Sequence, residues 1–288
     1  MRPVDLKTKI FLDSSDPKET QMIKNSLGFL DGQTTNPTLF SSTPEVKKKI
    51  AAGNNFTSAQ LIDFYKKIIQ EIAAIIPDQS ISIEVYADRQ TKAESMVEQA
   101  KEFFSWIPNA RIKLPTTLEG LRAAELAVND RIKINMTLCF SQAQAAAVHV
   151  ATRGADPDQV FISPFVGRLD DRGQNGMDLL ANIIRMYKQN NSHVKVLAAS
   201  IRNLDQFLAA IKLGSDIITT RYSVLEEWVD KEKPLPGADF FYEKPGFELI
   251  SYQSLNLDQD WYDFDLNHPL TDQGLEQFAT DWNSLIKK

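Results

Sequence analysis

This chain of 288 residues contains one cysteine, Cys139, and only three histidines. A single cysteine cannot form an internal disulfide, and scattered histidines without a cysteine pair do not make a structural zinc site. A chain of this length buries about three quarters of the surface that its unfolded form exposes, so it needs no such stabiliser. We therefore expect neither a disulfide nor a metal, and we predict no cofactor.

Long apolar runs and an excess of basic residues are also lacking. No stretch approaches the length of about 18 apolar residues that spans a membrane, and the first nine residues lack the apolar core of a signal peptide. The 32 Lys and Arg against 38 Asp and Glu give a net charge of −6, whereas nucleic acids and anionic membranes require a basic face. We expect a cytoplasmic protein that binds neither, although a small cationic pocket for an anionic metabolite remains compatible with this charge.

Eight short β-type runs alternate with helix-patterned segments. The predicted strands are Lys9–Asp13, Phe29–Thr35, Ser80–Tyr86, Ala110–Leu114, Ile132–Leu138, Val160–Pro164, Val194–Ala199 and Asp216–Thr220. Several are almost continuously apolar, which is typical of parallel strands buried on both faces. Eight such units in about 230 residues favour a closed (β/α)8 TIM barrel. An open doubly wound sheet is disfavoured because the chain has no GxGxxG or GxxxxGK[ST] motif.

Helical periodicity predicts the connections between these strands. Helices are expected from Asp16-Pro17 onward and over 57–76, 141–152, 177–187, 204–213 and 223–229, with a last one from about Thr271. We assign residues 1–230 to the barrel and 231–288 to a C-terminal loop and helix that pack on it. The last helix either closes the structure or forms a lid over the barrel mouth.

Polar residues interrupt the predicted strands near their C-terminal ends, where barrel enzymes place their active sites. Asp13, Glu84, Lys113, Asn135, Thr137 and Ser163 lie in the strands, and Asn36, Phe165, Arg168, Ser200, Arg202 and Arg221 follow them. A buried lysine is costly when charged, which favours the free amine that attacks a carbonyl. Neighbouring carboxylates can move protons, and paired arginines with a serine can hold a phosphate. Taken singly, each residue also has an ordinary explanation, such as a Lys113–Glu84 ion pair.

Five segments, in order along the chain, resemble motifs of the transaldolase family. They are DGQTTNPTLF at 31–40, IKLPTTLEGLRAAE at 112–125, INMTLCFSQAQA at 134–145, ISPFVGRLDD at 162–171 and VLAASIRN at 196–203. The resemblance implies an enzyme of carbohydrate metabolism in the pentose phosphate pathway. It would transfer a dihydroxyacetone unit from sedoheptulose 7-phosphate or fructose 6-phosphate to an aldose phosphate through a lysine Schiff base.

The resemblance also implies a role for each site residue. Lys113 corresponds to the lysine that forms the imine, and Asp13 to the group that takes the C4 hydroxyl proton. Glu84 and Thr137 correspond to the pair that holds and activates a water molecule. The residues that correspond to substrate-binding positions are Asn36, Asn135 and Ser163 at the dihydroxyacetone fragment, Phe165 beside them, and Arg168, Ser200 and Arg202 at the phosphate.

Two other functions remain open from the sequence. Members similar to fructose-6-phosphate aldolase release free dihydroxyacetone, but they usually have Gln and Tyr at the positions of Glu84 and Phe165. A barrel that binds sugar phosphates without turnover would be expected to lack Lys113, Asp13 or Glu84, and all three are present. The end of the last strand lacks the proline that the family commonly has at about Arg221 or Tyr222, and Arg221 adds a cation near the barrel mouth, which leaves the preferred sugars open. The partners are expected to be small sugar phosphates, and assembly of the chain with itself is left open by the sequence.

Overall fold

The chain forms a closed barrel of eight parallel strands in a computed structural model that describes residues 1–243 and 245–287. The strands are β1 Lys9–Asp13, β2 Gly32–Thr34, β3 Ser80–Glu84, β4 Ala110–Pro115, β5 Ile134–Cys139, β6 Val160–Pro164, β7 Lys195–Ile201 and β8 Ile217–Thr220. Strand β8 pairs with β1 from Lys9 opposite Ile217 to Leu12 opposite Thr220 and so closes the barrel. The predicted (β/α)8 fold is confirmed. Lys244 and Lys288 of the predicted C-terminal segment lie outside the described residues.

Helices connect the strands and cover the outside of the barrel. They are α1 Pro17–Leu27, α2 Pro37–Ser42, α3 Pro44–Ala51, α4 Ser58–Ile75, α5 Ala93–Phe104, α6 Leu118–Asn129, α7 Gln142–Ala151, α8 Val166–Asp170, α9 Gly176–Gln189, α10 Leu204–Leu213, α11 Tyr222–Asp230 and α12 Pro269–Asn283. A short 3₁₀ turn, Trp261–Asp263, precedes the last helix. None of the helices described here is long and apolar enough to cross a membrane.

The predicted bounds of β2 are wrong, because this strand is shorter than the predicted run 29–35. The run begins at Phe29, but the backbone N–H of Ile10 donates to the side-chain Oδ2 of Asp31 (2.8 Å) rather than to a strand carbonyl. Regular pairing with β1 starts one residue later, where Phe11 lies opposite Gly32. Strands β1 and β6 have the bounds that the sequence predicted.

Two short helices between β2 and β3 were not predicted. Helix α2 begins at Pro37 after the cap Asn36, and α3 begins at Pro44 after the cap Thr43. Each capping side chain accepts a hydrogen bond from a backbone N–H in the first turn, and proline suits the first helical position because it lacks an N–H. Helices α5, α6 and α8 were also missing from the predicted set.

The strand period of two residues brings the polar positions together inside the barrel. Residues two apart point to the same face of a strand. In each of five strands, two residues that are two positions apart point into the barrel. These pairs are Phe11 and Asp13, Ser82 and Glu84, Arg111 and Lys113, Asn135 and Thr137, and Phe161 and Ser163. The second member of each pair is nearer the C-terminal end, so Asp13, Glu84, Lys113, Thr137 and Ser163 form one polar layer.

Helix α12 packs across one side of the C-terminal end of the barrel. Thr271 donates its hydroxyl to the carbonyl of Leu138 at the end of β5 (3.0 Å). After the helix, the carbonyl of Leu285 accepts a hydrogen bond from the backbone N–H of Phe56 (2.9 Å). This contact holds the C-terminal side of α12 to the loop that precedes α4. The helix therefore contributes to the walls of the opening that the polar layer faces.

Candidate active site

A pocket of about 800 Å³, counting the space at its open mouth, lies at the C-terminal end of the barrel. Nine of the eleven predicted site residues line it: Asp13, Asn36, Lys113, Thr137, Ser163, Phe165, Arg168, Ser200 and Arg202. The other two, Glu84 and Asn135, do not line it, but each accepts a hydrogen bond from a residue that does. The structure thus brings the predicted residues into one site.

Lys113 is held at the floor of this pocket by two acceptors. Its Nζ lies 2.7 Å from Oε2 of Glu84 and 2.9 Å from the backbone carbonyl of Thr35. The side chains of Lys113 and Glu84 are only 4% and 5% exposed. In this setting Glu84 can take a proton from the lysine and leave a free amine facing the pocket.

Asp13 lines the same pocket beside two threonine hydroxyls. Its Oδ1 accepts from the hydroxyl of Thr34 (2.7 Å), which lies 2.6 Å from the hydroxyl of Thr219. Burial raises the pKa of Asp13, while the positive charge of Lys113 and the Thr34 hydrogen bond lower it. A carboxylate whose pKa is raised binds a proton more readily than an ordinary carboxylate, which suits a group that accepts and returns a proton.

Glu84 has a raised pKa for the same main reason. Burial raises the pKa of its carboxyl, and both the charge of Lys113 and the hydrogen bond from it lower the pKa in part. Two carboxyl groups with raised pKa values therefore flank one buried lysine. Such a constellation at the end of barrel strands is typical of an enzyme site.

Thr137 has an unsatisfied hydroxyl in the wall of the pocket. Its Oγ1 is buried, and no described residue forms a hydrogen bond with it. Burying a hydroxyl without a partner costs about 1–3 kcal/mol, so a pocket-lining residue of this kind favours a bound water molecule or a substrate group. Thr137 lies on β5 directly beside β4, with Pro115 as its paired residue.

Asn135, Ser163 and Ser82 form a hydrogen-bonded row across β3, β5 and β6. The hydroxyl of Ser163 donates to Oδ1 of Asn135 (2.7 Å), and Nδ2 of Asn135 lies 3.2 Å from Oγ of Ser82. Asn36 has a different position, since its Oδ1 accepts from the backbone N–H of Leu39 and caps α2. Its amide nitrogen remains available at the pocket wall.

The residues that were expected to bind a phosphate lie together on the β6 and β7 side of the pocket. The guanidinium carbon of Arg168 lies 5.4 Å from the ring centroids of both Phe165 and Phe278. Ser200 adopts a left-handed backbone (φ 58°) where the register between β7 and β8 shifts. Such bulges redirect side chains near active sites, and two arginines with a hydroxyl can bind an anion by charge-assisted hydrogen bonds.

Several contributors were missed or left without a role by the sequence analysis. Phe278 of α12 lines the pocket, as does Arg221 after β8, whose exposed side chain forms no hydrogen bond or ion pair with another described residue. The spacing of apolar residues predicted that Phe278 packs on the barrel, but periodicity does not tell a pocket wall from the core. In the described part of the chain, no three His, Cys, Asp or Glu side chains are grouped as metal ligands would be.

Comparisons with known proteins point to one family. The model of the family described as Transaldolase/Fructose-6-phosphate aldolase matches residues 10–288. A probable transaldolase of Dehalococcoides mccartyi is 32% identical over 281 residues, which are 97% of this chain and 100% of that protein. A probable transaldolase of Roseiflexus sp. strain RS-1 is 35% identical over 276 residues, 96% of this chain and 97% of that protein. One from Methanococcus maripaludis is 33% identical over 280 residues, 97% of this chain and 100% of that protein.

Proposed function

Because this chain belongs to the transaldolase/fructose-6-phosphate aldolase family, we propose that it transfers a dihydroxyacetone unit between sugar phosphates through an imine on Lys113. The donor is a ketose phosphate, either sedoheptulose 7-phosphate or fructose 6-phosphate, and the acceptor is an aldose phosphate. The observation that carries the proposal is the buried Lys113, whose Nζ lies 2.7 Å from Glu84 at the floor of the pocket that Asp13 also lines.

The first half of the reaction forms the imine. Nζ of Lys113, after giving a proton to Glu84, attacks the C2 carbonyl of the ketose and forms a carbinolamine. Proton transfer to the C2 hydroxyl expels water and leaves a protonated imine. The unsatisfied hydroxyl of Thr137 supports the binding of the water molecule that carries these protons beside Glu84.

The second half breaks and remakes a carbon–carbon bond. The carboxylate of Asp13 takes the C4 hydroxyl proton, the C3–C4 bond breaks, and its electron pair moves into the protonated imine to give an enamine. The aldehyde leaves, an acceptor aldehyde takes its place, and the steps run in reverse. Asn36 and Ser163 orient the dihydroxyacetone carbons, and Asn135 supports them by accepting the hydrogen bond of the Ser163 hydroxyl. Arg168, Ser200 and Arg202 hold the phosphate, and Phe165 packs beside Arg168. Stabilising the developing carbanion supplies much of the rate gain.

Reductive trapping tests this proposal. We would incubate the protein with fructose 6-phosphate, reduce it with borohydride and map adducts by peptide mass spectrometry. We expect a reduced dihydroxyacetone adduct on Lys113, and no adduct in a Lys113→Met variant of similar length. A folded wild-type protein without any adduct would overturn the lysine mechanism.

Product analysis then separates transfer from release. With erythrose 4-phosphate present, a transaldolase forms sedoheptulose 7-phosphate and little free dihydroxyacetone. Release of dihydroxyacetone at the same rate with and without the acceptor would instead identify an aldolase of the fructose-6-phosphate type. Binding of fructose 6-phosphate without either product would indicate a binding protein.

A further inference from the structure

We propose that Tyr65, on helix α4 outside the barrel, is a positioning residue for Lys113. Its hydroxyl replaces one rung of the hydrogen-bond ladder between β2 and β3, which leaves the backbone carbonyl of Thr35 to hold the lysine Nζ. This inference rests on the proposed imine chemistry at Lys113, and it adds a residue that makes no contact with the pocket itself.

The replaced rung can be identified from the ladder pattern. In a parallel pair, one residue makes two hydrogen bonds to the neighbouring strand. Its N–H donates to a carbonyl of that strand, and its own carbonyl accepts from the N–H that lies two residues further along the same strand. The N–H of Thr35 donates to the carbonyl of Ser82 (3.0 Å), so its carbonyl would pair with the N–H of Glu84. That N–H instead donates to Oη of Tyr65 (3.3 Å), and regular pairing of β2 ends at Thr34.

The direction of each hydrogen bond around Tyr65 follows from counting protons. The hydroxyl of Thr35 donates its single proton to the carbonyl of Ser82 (2.9 Å). The hydroxyl of Tyr65, 2.7 Å from Oγ1 of Thr35, must therefore donate to it while accepting from the N–H of Glu84. Burial raises the pKa of Tyr65, which keeps this proton in place.

The consequence reaches Lys113 through both of its acceptors. One acceptor is the side chain of Glu84, whose backbone N–H binds Tyr65, and the other is the carbonyl of Thr35, whose hydroxyl binds Tyr65. The Tyr65 hydroxyl thus fixes the position of Glu84 relative to the carbonyl of Thr35, and these two groups orient the lysine Nζ. Nζ lies 2.7 Å from the first acceptor and 2.9 Å from the second.

Packing fixes the tyrosine ring itself. Tyr65 is 1% exposed, and its ring centroid lies 4.9 Å from that of Phe40, 5.5 Å from that of Trp282 and 5.9 Å from that of Trp106. These rings come from α2, from α12 and from the turn that follows α5. The hydroxyl cannot swing away without repacking all of them, so it is a fixed reference for the ends of β2 and β3.

The test compares two buried tyrosines. Tyr65→Phe keeps the ring and removes the hydroxyl. Tyr187→Phe is the matched control, because Tyr187 is also buried and donates one hydrogen bond, to the carbonyl of Ala145 (2.7 Å), on the outer helices. We would measure thermal unfolding, the rate of borohydride-trapped imine formation with fructose 6-phosphate, and kcat and KM separately.

We expect Tyr65→Phe to lower imine formation and kcat by about 10- to 100-fold with little change in KM, as displacement of a catalytic group does. Tyr187→Phe should lower the melting temperature without this loss of rate. Thr35→Val removes the hydroxyl that binds Tyr65 and the carbonyl of Ser82, and it should act in the same direction, whereas Thr35→Ser keeps the hydroxyl and should retain the rate. Equal rates in Tyr65→Phe and Tyr187→Phe would overturn the proposal.

A readout without turnover keeps this proposal separate from the proposed function. If the wild-type protein forms no imine, the lysine mechanism fails by itself. The labelling rate of Lys113 by an acetylating active ester, measured by peptide mass spectrometry, still reports how its Nζ is held. We expect that rate to differ from wild type in Tyr65→Phe and not in Tyr187→Phe, and identical rates in all three proteins would refute the role of Tyr65.

Discussion

Arg202 contacts Asp171 through both nitrogens of its guanidinium fork, with Nη2–Oδ2 at 2.6 Å and Nη1–Oδ1 at 3.2 Å. The pair lies at the edge of the pocket and is exposed, with 38% and 54% of the side chains accessible. Exposed pairs contribute about 0–1 kcal/mol to stability. Asp171 therefore contributes little to the stability of the fold, and its main effect is to pair with an arginine that we propose to bind phosphate.

Removing the charge of Asp171 should strengthen the binding of phosphorylated substrates. An anion about 4 Å from another costs about 1 kcal/mol in water-like surroundings, equivalent to about a fivefold change in affinity. We expect Asp171→Asn to lower KM for erythrose 4-phosphate by about this factor, with KM for unphosphorylated erythrose unchanged. Asp171→Glu retains the charge and is the control. A higher KM in Asp171→Asn would mean that the pair orients Arg202 for the phosphate.

Arg221 should set the acid limb of the pH–rate profile through Asp13. Thr220 pairs with Leu12, so the next residues along the two strands, Arg221 and Asp13, are neighbours. Burial raises the pKa of the Asp13 carboxyl, and the positive charge of Arg221 lowers it in part. In Arg221→Met this lowering is lost, so Asp13 keeps its proton to a higher pH. Because the proposed role of Asp13 requires its carboxylate form, the acid limb of kcat/KM should move to higher pH.

The matched variant for this experiment is Arg221→Lys, which keeps a positive charge at the exposed position after β8. Its acid limb should stay close to that of the wild type. The difference between Arg221→Met and wild type should also shrink at high ionic strength, because salt screens exposed charges. An acid limb that stays fixed in Arg221→Met, or moves to lower pH, would contradict the assignment of Asp13 as the base.

Gly274 of α12 should control the position of Arg168. A Cβ at this glycine would lie 2.7 Å from Nη1 of Arg168 and 2.6 Å from Cδ2 of Leu138, so an alanine must push these side-chain ends away. Alanine also gains about 1 kcal/mol of helix propensity over glycine, which offsets part of the strain. We expect Gly274→Ala to raise KM for phosphorylated sugars while changing the melting temperature little.

Gly237→Ala provides the control, since a Cβ at that glycine would meet no atom within 4 Å. Steady-state kinetics with phosphorylated and unphosphorylated acceptors would separate displacement of Arg168 from a general loss of activity. If Gly274→Ala raises KM equally for both acceptors, Arg168 does not act on the phosphate from its position against α12.

The strands and most of the site could be predicted because their signals are local. Buried parallel strands read as apolar runs, and a polar residue inside such a run, such as Lys113 or Asn135, stands out against it. The ends of β2 could not be predicted in this way. They depend on the side chain of Asp31 at one end and on the Tyr65 hydroxyl at the other, and both contacts join residues that are distant in sequence.

Tyr65 itself carried no signal that distinguishes it from a core residue. It occupies an apolar position in the helical period of 57–76, and an aromatic residue there predicts packing. Its hydroxyl becomes informative only when the strands are closed and its partners, Thr35 and Glu84, are known. Helices α2 and α3 were missed for a local reason, since Pro37 and Pro44 indicate a turn as readily as the first residue of a helix.

Phe278 belongs to α12, the last helix of the described chain, and yet it borders the pocket that β1 to β8 build. During synthesis from the N-terminus, every strand of the barrel leaves the ribosome before this residue does. A barrel that closes early therefore presents Lys113 in a wider, wetter opening until α12 docks. The pocket wall is complete only after α12 has docked, so the shape of the site depends on a helix that is synthesised after all eight strands.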